Sequence, residues 1–311
     1  MADVEATFGI RVLAAILILL PTLCGLLLHT ILGIVLYSGW RTFRGNSFYL
    51  ITVQLMCADV CALILDLYAA FPLTLTGVQY MGDSVAFYYL PLSFESIAFN
   101  GIFNLSLLLT VNRFLLFLYP GLHKKIFTSR GTKTLSLLVW IYVFTFIIAS
   151  NVAGCHKEFN KEYFYYWYNC GNDSTANHIK QFILIDACVI PCAMAVMYIA
   201  IYIKIRVAKK GISASTRPSV NKEIRYVVQT LLICILIFVE VAGFAFIPFL
   251  GAEGYDRFYL NILLNSIIIS NNLVTPIVML TFNSDVRQKL KQMYGGNSPT
   301  VSVVVYSKTF R

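Results

Sequence analysis

Seven apolar stretches, at residues 12–37, 48–75, 93–118, 134–152, 179–205, 226–250 and 258–282, constrain this chain more than any other feature. Each is long enough to cross about 30 Å of hydrocarbon as a helix, which takes roughly 20 residues. Inside lipid the backbone must satisfy its own hydrogen bonds, and unbroken runs of this length do so as helices rather than as barrel strands. A chain that is 58% hydrophobic and only 13% charged is too apolar for an ordinary soluble domain. The expected fold is therefore an all-α membrane protein, a seven-transmembrane helix bundle. No Ser/Gly-rich linker or charge block divides it, so one transmembrane domain (10–282) lies between a short N-terminal segment (1–9) and an amphipathic helix with a tail (283–311).

Orientation follows from the basic residues. Of the 24 Lys and Arg residues, all but Arg11, Lys157, Lys161, Lys180 and Arg257 fall at the inner end of span three, after spans one, three and five, or in the tail. That asymmetry requires an odd number of spans with the N-terminus outside. Segment 1–9 is acidic and lacks the basic region of a cleaved signal peptide, so span one is expected to act as an uncleaved anchor. The net charge of +9 then needs no nucleic acid as partner, because the basic loops face the anionic inner leaflet of the lipid bilayer.

The polar residues within the spans carry the functional signal. Arg113 closes span three, where a guanidinium must snorkel or find a partner; it is either a boundary mark or a switch on the cytoplasmic face. Asp59 and Asp66 lie two turns apart on one stripe of span two. Span three adds Glu95, span five Asp186 and span six Glu240. No lysine lies in the interior of a span, Lys180 and Lys204 standing at the two ends of span five, so these acids are expected to lack a basic partner at their own depth. Each must be protonated, hydrogen-bonded or paired with a bound cation. Asn271, Asn272 and Thr275 on span seven are natural partners for Asp59. His29 in span one either bonds a neighbouring helix or serves a proton or metal role.

Cys155 and Cys170 are the two cysteines outside the spans, and both lie in the loop after span four, so they pair with each other. Closing that loop stabilises it by about 3 kcal/mol on a chain-entropy argument. Asn172 begins a glycosylation sequon in the same loop. Its aromatic run, 163–168, reads equally as a ligand lid or as interfacial anchoring. Pro191, Pro248 and Pro276 each remove a helix hydrogen bond and predict kinks in spans five, six and seven. After span seven, Asn283 is placed to cap a short helix whose Val286, Leu290 and Met293 share one apolar stripe.

Together these residues resemble the rhodopsin-like G-protein-coupled receptors. Asp59 resembles the family's span-two aspartate, which holds a sodium ion, so the resemblance implies sodium beside Asp59 and no other cofactor. Asn112-Arg113-Phe114 with Pro120 resembles the Asp-Arg-Tyr triplet and its following proline, the coupling switch. Trp140 matches the span-four tryptophan. Phe246 and Pro248 stand where Cys-Trp-x-Pro is usual, and Thr275-Pro276 where Asn-Pro-x-x-Tyr is usual. Glu95 falls where amine receptors keep the acid that pairs with the ligand's ammonium. The departures include His29, Asn112, Thr275, Met279 and the absence of a cysteine at the top of span three. That combination is similar to the nematode serpentine chemoreceptors, most of all class X.

The resemblance implies a chemosensory receptor of the plasma membrane, multi-pass and in a sensory cilium, whose partners are a small-molecule ligand and a heterotrimeric G-protein. The ligand is expected among Asp66, Glu95, Phe246 and Asn265. Arg113 has the neutral Asn112 beside it, and Glu223 is the only acid near the foot of span six, which predicts a weak resting lock and measurable basal activity. A transporter or ligand-gated ion channel using the buried acids is the alternative; the absence of an internal repeat argues against it. No residues are assigned catalytic or metal-binding roles: no His-Glu-x-x-His occurs, and His123, His156 and His178 lie in loops and make no metal cluster. An enzyme is not expected, and nothing in the sequence speaks to dimerisation.

Overall fold

The computed structural model describes residues 5–171, 174–209, 227–228, 231–232, 234–239, 242–243 and 254–294. Among these residues, six helices are long and apolar enough to cross a membrane. Span one runs Phe8–Ser38, with the Thr7 hydroxyl accepting the Ile10 N–H at its start. Span two begins at Ser47, where Asn46 Oδ1 accepts the Phe48 N–H at 2.9 Å, and reaches Thr76. Span three ends at Leu118, span four is Ser129–Val152, span five Ser174–Lys209 and span seven Tyr255–Phe282. The described parts of span six are all helical; Glu223, Glu240, Phe246 and Pro248 lie outside the described residues, as does Asn172.

Span three is the axis of the bundle and packs against spans two, four and five. Its contact with span four depends on Gly101, where an added Cβ would come within 3.0 Å of the Trp140 ring. Trp140 in turn donates Nε1–H to Gln54 Oε1 of span two at 3.0 Å. Spans four and five turn Leu137, Ile141, Ile148, Leu184, Ile185, Val196 and Ile199 outward, as lipid-facing helices do.

Prolines shape this bundle in a way that can be followed atom by atom. A proline lacks the N–H that would bond the carbonyl four residues earlier. Just before Pro72 and Pro91 the helical ladder widens to π-type hydrogen bonding, over Asp66–Ala70 and Val85–Tyr89. The Tyr80 hydroxyl donates to the Tyr68 carbonyl at 2.6 Å, and the Tyr68 hydroxyl donates to the Phe87 carbonyl at 2.7 Å. Those are the two carbonyls that Pro72 and Pro91 leave free. In span seven, Pro276 frees the Asn272 carbonyl, and His29 Nε2 of span one lies 2.9 Å from it. The neighbouring-helix reading of His29 is the one the structure shows. Spans five and seven run on through Pro191 and Pro276 as single helices.

The disulfide loop is more ordered than expected of a loop in an all-α protein. Cys155–Asn160 (β1) and Tyr165–Cys170 (β2) form an antiparallel hairpin, with Cys155 opposite Cys170 and Lys157 opposite Tyr168. The Cys155–Cys170 disulfide closes its open end. Asn160 Oδ1 builds the turn by accepting the Glu162 and Tyr163 N–H groups at 3.0 and 2.9 Å. Phe164 adopts φ +62° there, with its ring fully buried against Phe258. Arg11 donates to the Lys161 carbonyl at 2.9 Å, and the Arg257 guanidinium lies 4.0 Å over the Tyr163 ring. The hairpin is thereby tied to spans one and seven.

After span seven, Ser284–Tyr294 is helical. Asn283 Oδ1 accepts the Asp285 and Val286 N–H groups at 3.0 and 3.1 Å, the cap expected from sequence. The Tyr49 hydroxyl of span two donates to the same oxygen at 3.1 Å, and Val286 is completely buried.

Candidate functional site

Strand periodicity sets the main site. Side chains alternate faces along a strand, so Cys155, Lys157 and Phe159 all point into the bundle. Lys157 Nζ reaches Glu95 Oε2 of span three at 3.2 Å, and both residues are more than nine-tenths buried. This corrects the expectation that the membrane acids have no basic partner: the lysine comes from the loop, not from a span. Among the described residues, three aromatic rings also face this ammonium and form a cage with Glu95, with Nζ 4.7 Å from the Phe99 centroid, 4.8 Å from Tyr168 and 5.8 Å from Tyr166.

Beside the cage is a cavity of about 20 Å³, lined by Asp66, Glu95, Phe99, Tyr166, Asn271 and Asn272 among others. Tyr166 joins the hairpin to its floor. Its hydroxyl lies 3.4 Å from the Leu65 carbonyl and hydrogen-bonds the Asp66 carboxyl. Burial first, then the Asp66 and Glu95 charges, push the Tyr166 phenol well above its usual range, so it keeps its proton and donates. Tyr88 holds the strand from the other side, accepting the Phe159 N–H at 3.2 Å.

Asp59 lies deeper and keeps different company from that expected. Thr275 hydrogen-bonds it, whereas Asn271 and Asn272 line the Asp66–Glu95 cavity above. Asp59 Oδ2 is buried without a hydrogen bond, 3.9 Å from His29 Nε2. Asn265, expected in the ligand pocket, is buried on span seven but is not part of the cavity wall.

At the opposite end, Arg113 is also buried, its guanidinium 4.4 Å over the Phe48 ring of span two. Asn112 Nδ2 donates to Ser47 Oγ at 2.9 Å and to His123 Nε2 at 3.1 Å. His123 stands on the short helix Pro120–Ile126, which Pro120 starts. An amide nitrogen can only donate, so His123 Nε2 must be bare. Burial, then the Arg113 charge, push the His123 imidazole below its usual range, which agrees. Phe114 is half-buried, with its ring 6.1 Å from Tyr119.

Sequence reasoning missed Lys157 and the link between His29 and Pro276. The parity of Cys155 and Lys157 within one strand was the available signal for the lysine. No comparable signal ties span one to span seven.

A bundle with a hairpin closing one end and a buried arginine at the other is the seven-helix receptor fold. The crystal structure of squid rhodopsin superposes with a TM-score of 0.75 at 14% identity, covering 93% of this chain and 87% of that one. At that identity the likeness shows the fold alone. No curated protein matches the chain. Residues 20–283 match the family described as serpentine type 7TM GPCR chemoreceptor Srx, and the chain belongs to that family.

Proposed function

We propose that the protein is a chemosensory receptor whose N-terminus and hairpin lie outside the cell at the plasma membrane. It binds a small molecule beneath the hairpin and activates a heterotrimeric G-protein at the Arg113 end. The observation that carries this reading is the Lys157–Glu95 pair with Asp66: a built, charged site under a disulfide-closed lid, in a bundle that also buries an arginine at its far end. Ligand binding there would favour one arrangement of spans five to seven over another, a population shift that exposes Arg113 to the G-protein. In Arg113→Ala, ligand-stimulated nucleotide exchange on a co-reconstituted G-protein should fall at least tenfold, with surface level and ligand binding unchanged. Exchange that survives would sink the coupling assignment.

The sodium ion implied for Asp59 suits the residues present. The buried Oδ2 without a hydrogen bond and the Thr275 hydroxyl would hold it, and a resident cation would neutralise the carboxylate. Sodium should then raise the melting temperature of the wild type relative to choline, and Asp59→Asn should remove that difference. Equal sodium dependence in both would assign the ion elsewhere.

A further inference from the structure

At the end nearer Arg113, span five carries two cations on opposite sides, Lys204 and Arg206. Residues three, four and seven apart share one side of a helix. Ala200, Ile203, Lys204 and Val207 therefore form one stripe, and Ala195, Ile199, Tyr202 and Arg206 another. Each stripe is apolar or aromatic apart from its cation, and each forms one wall of a groove. The first groove, about 440 Å³, lies between span five and the end of span three, where Leu118 and Tyr119 line it together with Lys204. The second, about 790 Å³, lies between spans five and six and runs from Pro191 to Arg206, with Leu231 and Ile235 on its far wall.

Both grooves open sideways, because Ile199, Tyr202, Ile203 and Val207 are all exposed. On a spanning helix that exposure is to hydrocarbon. From Pro191 to Arg206 the helix rises roughly 22 Å at 1.5 Å per residue, whereas one leaflet contributes about 15 Å of hydrocarbon. The second groove is thus long enough to take an extended acyl chain. Among the described residues, no carboxylate forms an ion pair with Lys204 or Arg206. Arg206 donates Nε–H to the Tyr202 hydroxyl at 2.7 Å. That bond fixes the plane of the guanidinium and leaves its forked terminal N–H groups, the pair that matches a phosphate.

Chemistry narrows the occupant. A cytosolic peptide would carry backbone polar groups into hydrocarbon without partners. A second copy of the chain, meeting this face by two-fold symmetry, would set Lys204 and Arg206 against their own copies. A sterol or neutral lipid would fill the apolar length and leave both cations without a counter-charge. An anionic phospholipid meets both demands, with its acyl chain along the stripe and its phosphate at the level of the cation. We infer that anionic phospholipids of the inner leaflet occupy the two grooves flanking span five, with their phosphates on Lys204 and Arg206. Their placement in the inner leaflet rests on the orientation given under the receptor reading above. Seated there, they set the spacing of span five from spans three and six.

The test uses purified full-length receptor in phosphatidylcholine nanodiscs doped with a diazirine-bearing lipid, either a phosphatidylserine or a phosphatidylcholine. Label on residues 195–207 is divided by label on span four, whose Leu137, Ile141 and Ile148 face bulk lipid. In the wild type this ratio should be severalfold higher for the serine lipid than for the choline lipid. In Lys204→Gln/Arg206→Gln the two ratios should become equal. Equal ratios in the wild type, or an undiminished preference in the double variant, overturn the inference.

Two further variants separate the grooves from general charge. Ala195→Trp fills the second groove without altering charge, so serine-lipid label at Ile199 should fall severalfold while label at Ile203 stays; unchanged label at Ile199 overturns the groove assignment. Lys180→Gln removes a cation from the other end of span five and should leave the preference intact. A loss equal to that of the double variant would mean that the preference follows net charge, which also overturns the inference. The two leaflets of a nanodisc are alike and no G-protein is present. Failure of lipid binding is therefore separable from failure of the orientation or of coupling.

Discussion

Lys157 and Arg113 are the same problem solved at opposite ends of the bundle. Each is a buried cation among apolar helices, and each faces an aromatic ring. Lys157 adds a carboxylate at 3.2 Å, whereas the acid expected beside Arg113 is replaced in sequence by Asn112. That asparagine is turned away to Ser47 and His123. Breaking a buried charge pair in low dielectric is costly, whereas a cation–ring contact is worth about 0.5–2 kcal/mol. The Lys157–Glu95 contact and the Arg113–Phe48 contact should therefore differ in what a substitution at each costs.

Perturbing the two cations separately sharpens the contrast. The largest effect should come from Glu95→Gln, which keeps the shape but removes the charge opposite Lys157. Breaking one side of a buried pair costs about 3–5 kcal/mol, so the melting temperature should fall by many degrees. A change within a degree would mean that Glu95 is not the group that balances the lysine.

Phe48→Leu removes the ring under Arg113 and should cost only about 0.5–2 kcal/mol. It should also raise nucleotide exchange without ligand above the basal level expected of a receptor with Asn112. If Phe48→Leu proves as damaging as Glu95→Gln, the two contacts do not differ in strength.

The smallest effect concerns His123. Its folded-state imidazole titrates below the ordinary value of 6.5, so between the two the unfolded chain binds more protons. Stability from this group is therefore complete above about pH 6.5 and is lost as the pH falls through 6.5 toward the lowered folded value. Melting temperature measured against pH should show this slope in the wild type and a flatter one in His123→Gln. Identical slopes would remove His123 from the Arg113 cluster.

The bundle was legible in the sequence because its cause is local. Apolar runs of spanning length, and the lysines and arginines that bound them, act segment by segment. The cap at Asn283 and the helix after it were legible for the same reason, since capping involves residues two and three apart. The disulfide followed from there being only two cysteines outside the spans.

The site was legible in its acids but not in their partners. Asp59, Asp66 and Glu95 stand out against an apolar background, whereas Lys157 is one of several charges in a polar loop. Asn271 and Asn272 line the wall beside Asp66 and Glu95, and Thr275 hydrogen-bonds Asp59.

By itself, then, the sequence determined that the chain spans a membrane as helices, which segments do so, and which charges must be buried, because transfer free energy and helix propagation are properties of contiguous residues. Tertiary structure alone decided which group meets which: Lys157 with Glu95, His29 with the carbonyl freed by Pro276, Phe48 under Arg113. Those pairings join residues far apart in the chain. They exist only because the register of the hairpin and the rotation of each helix bring the partners to one depth.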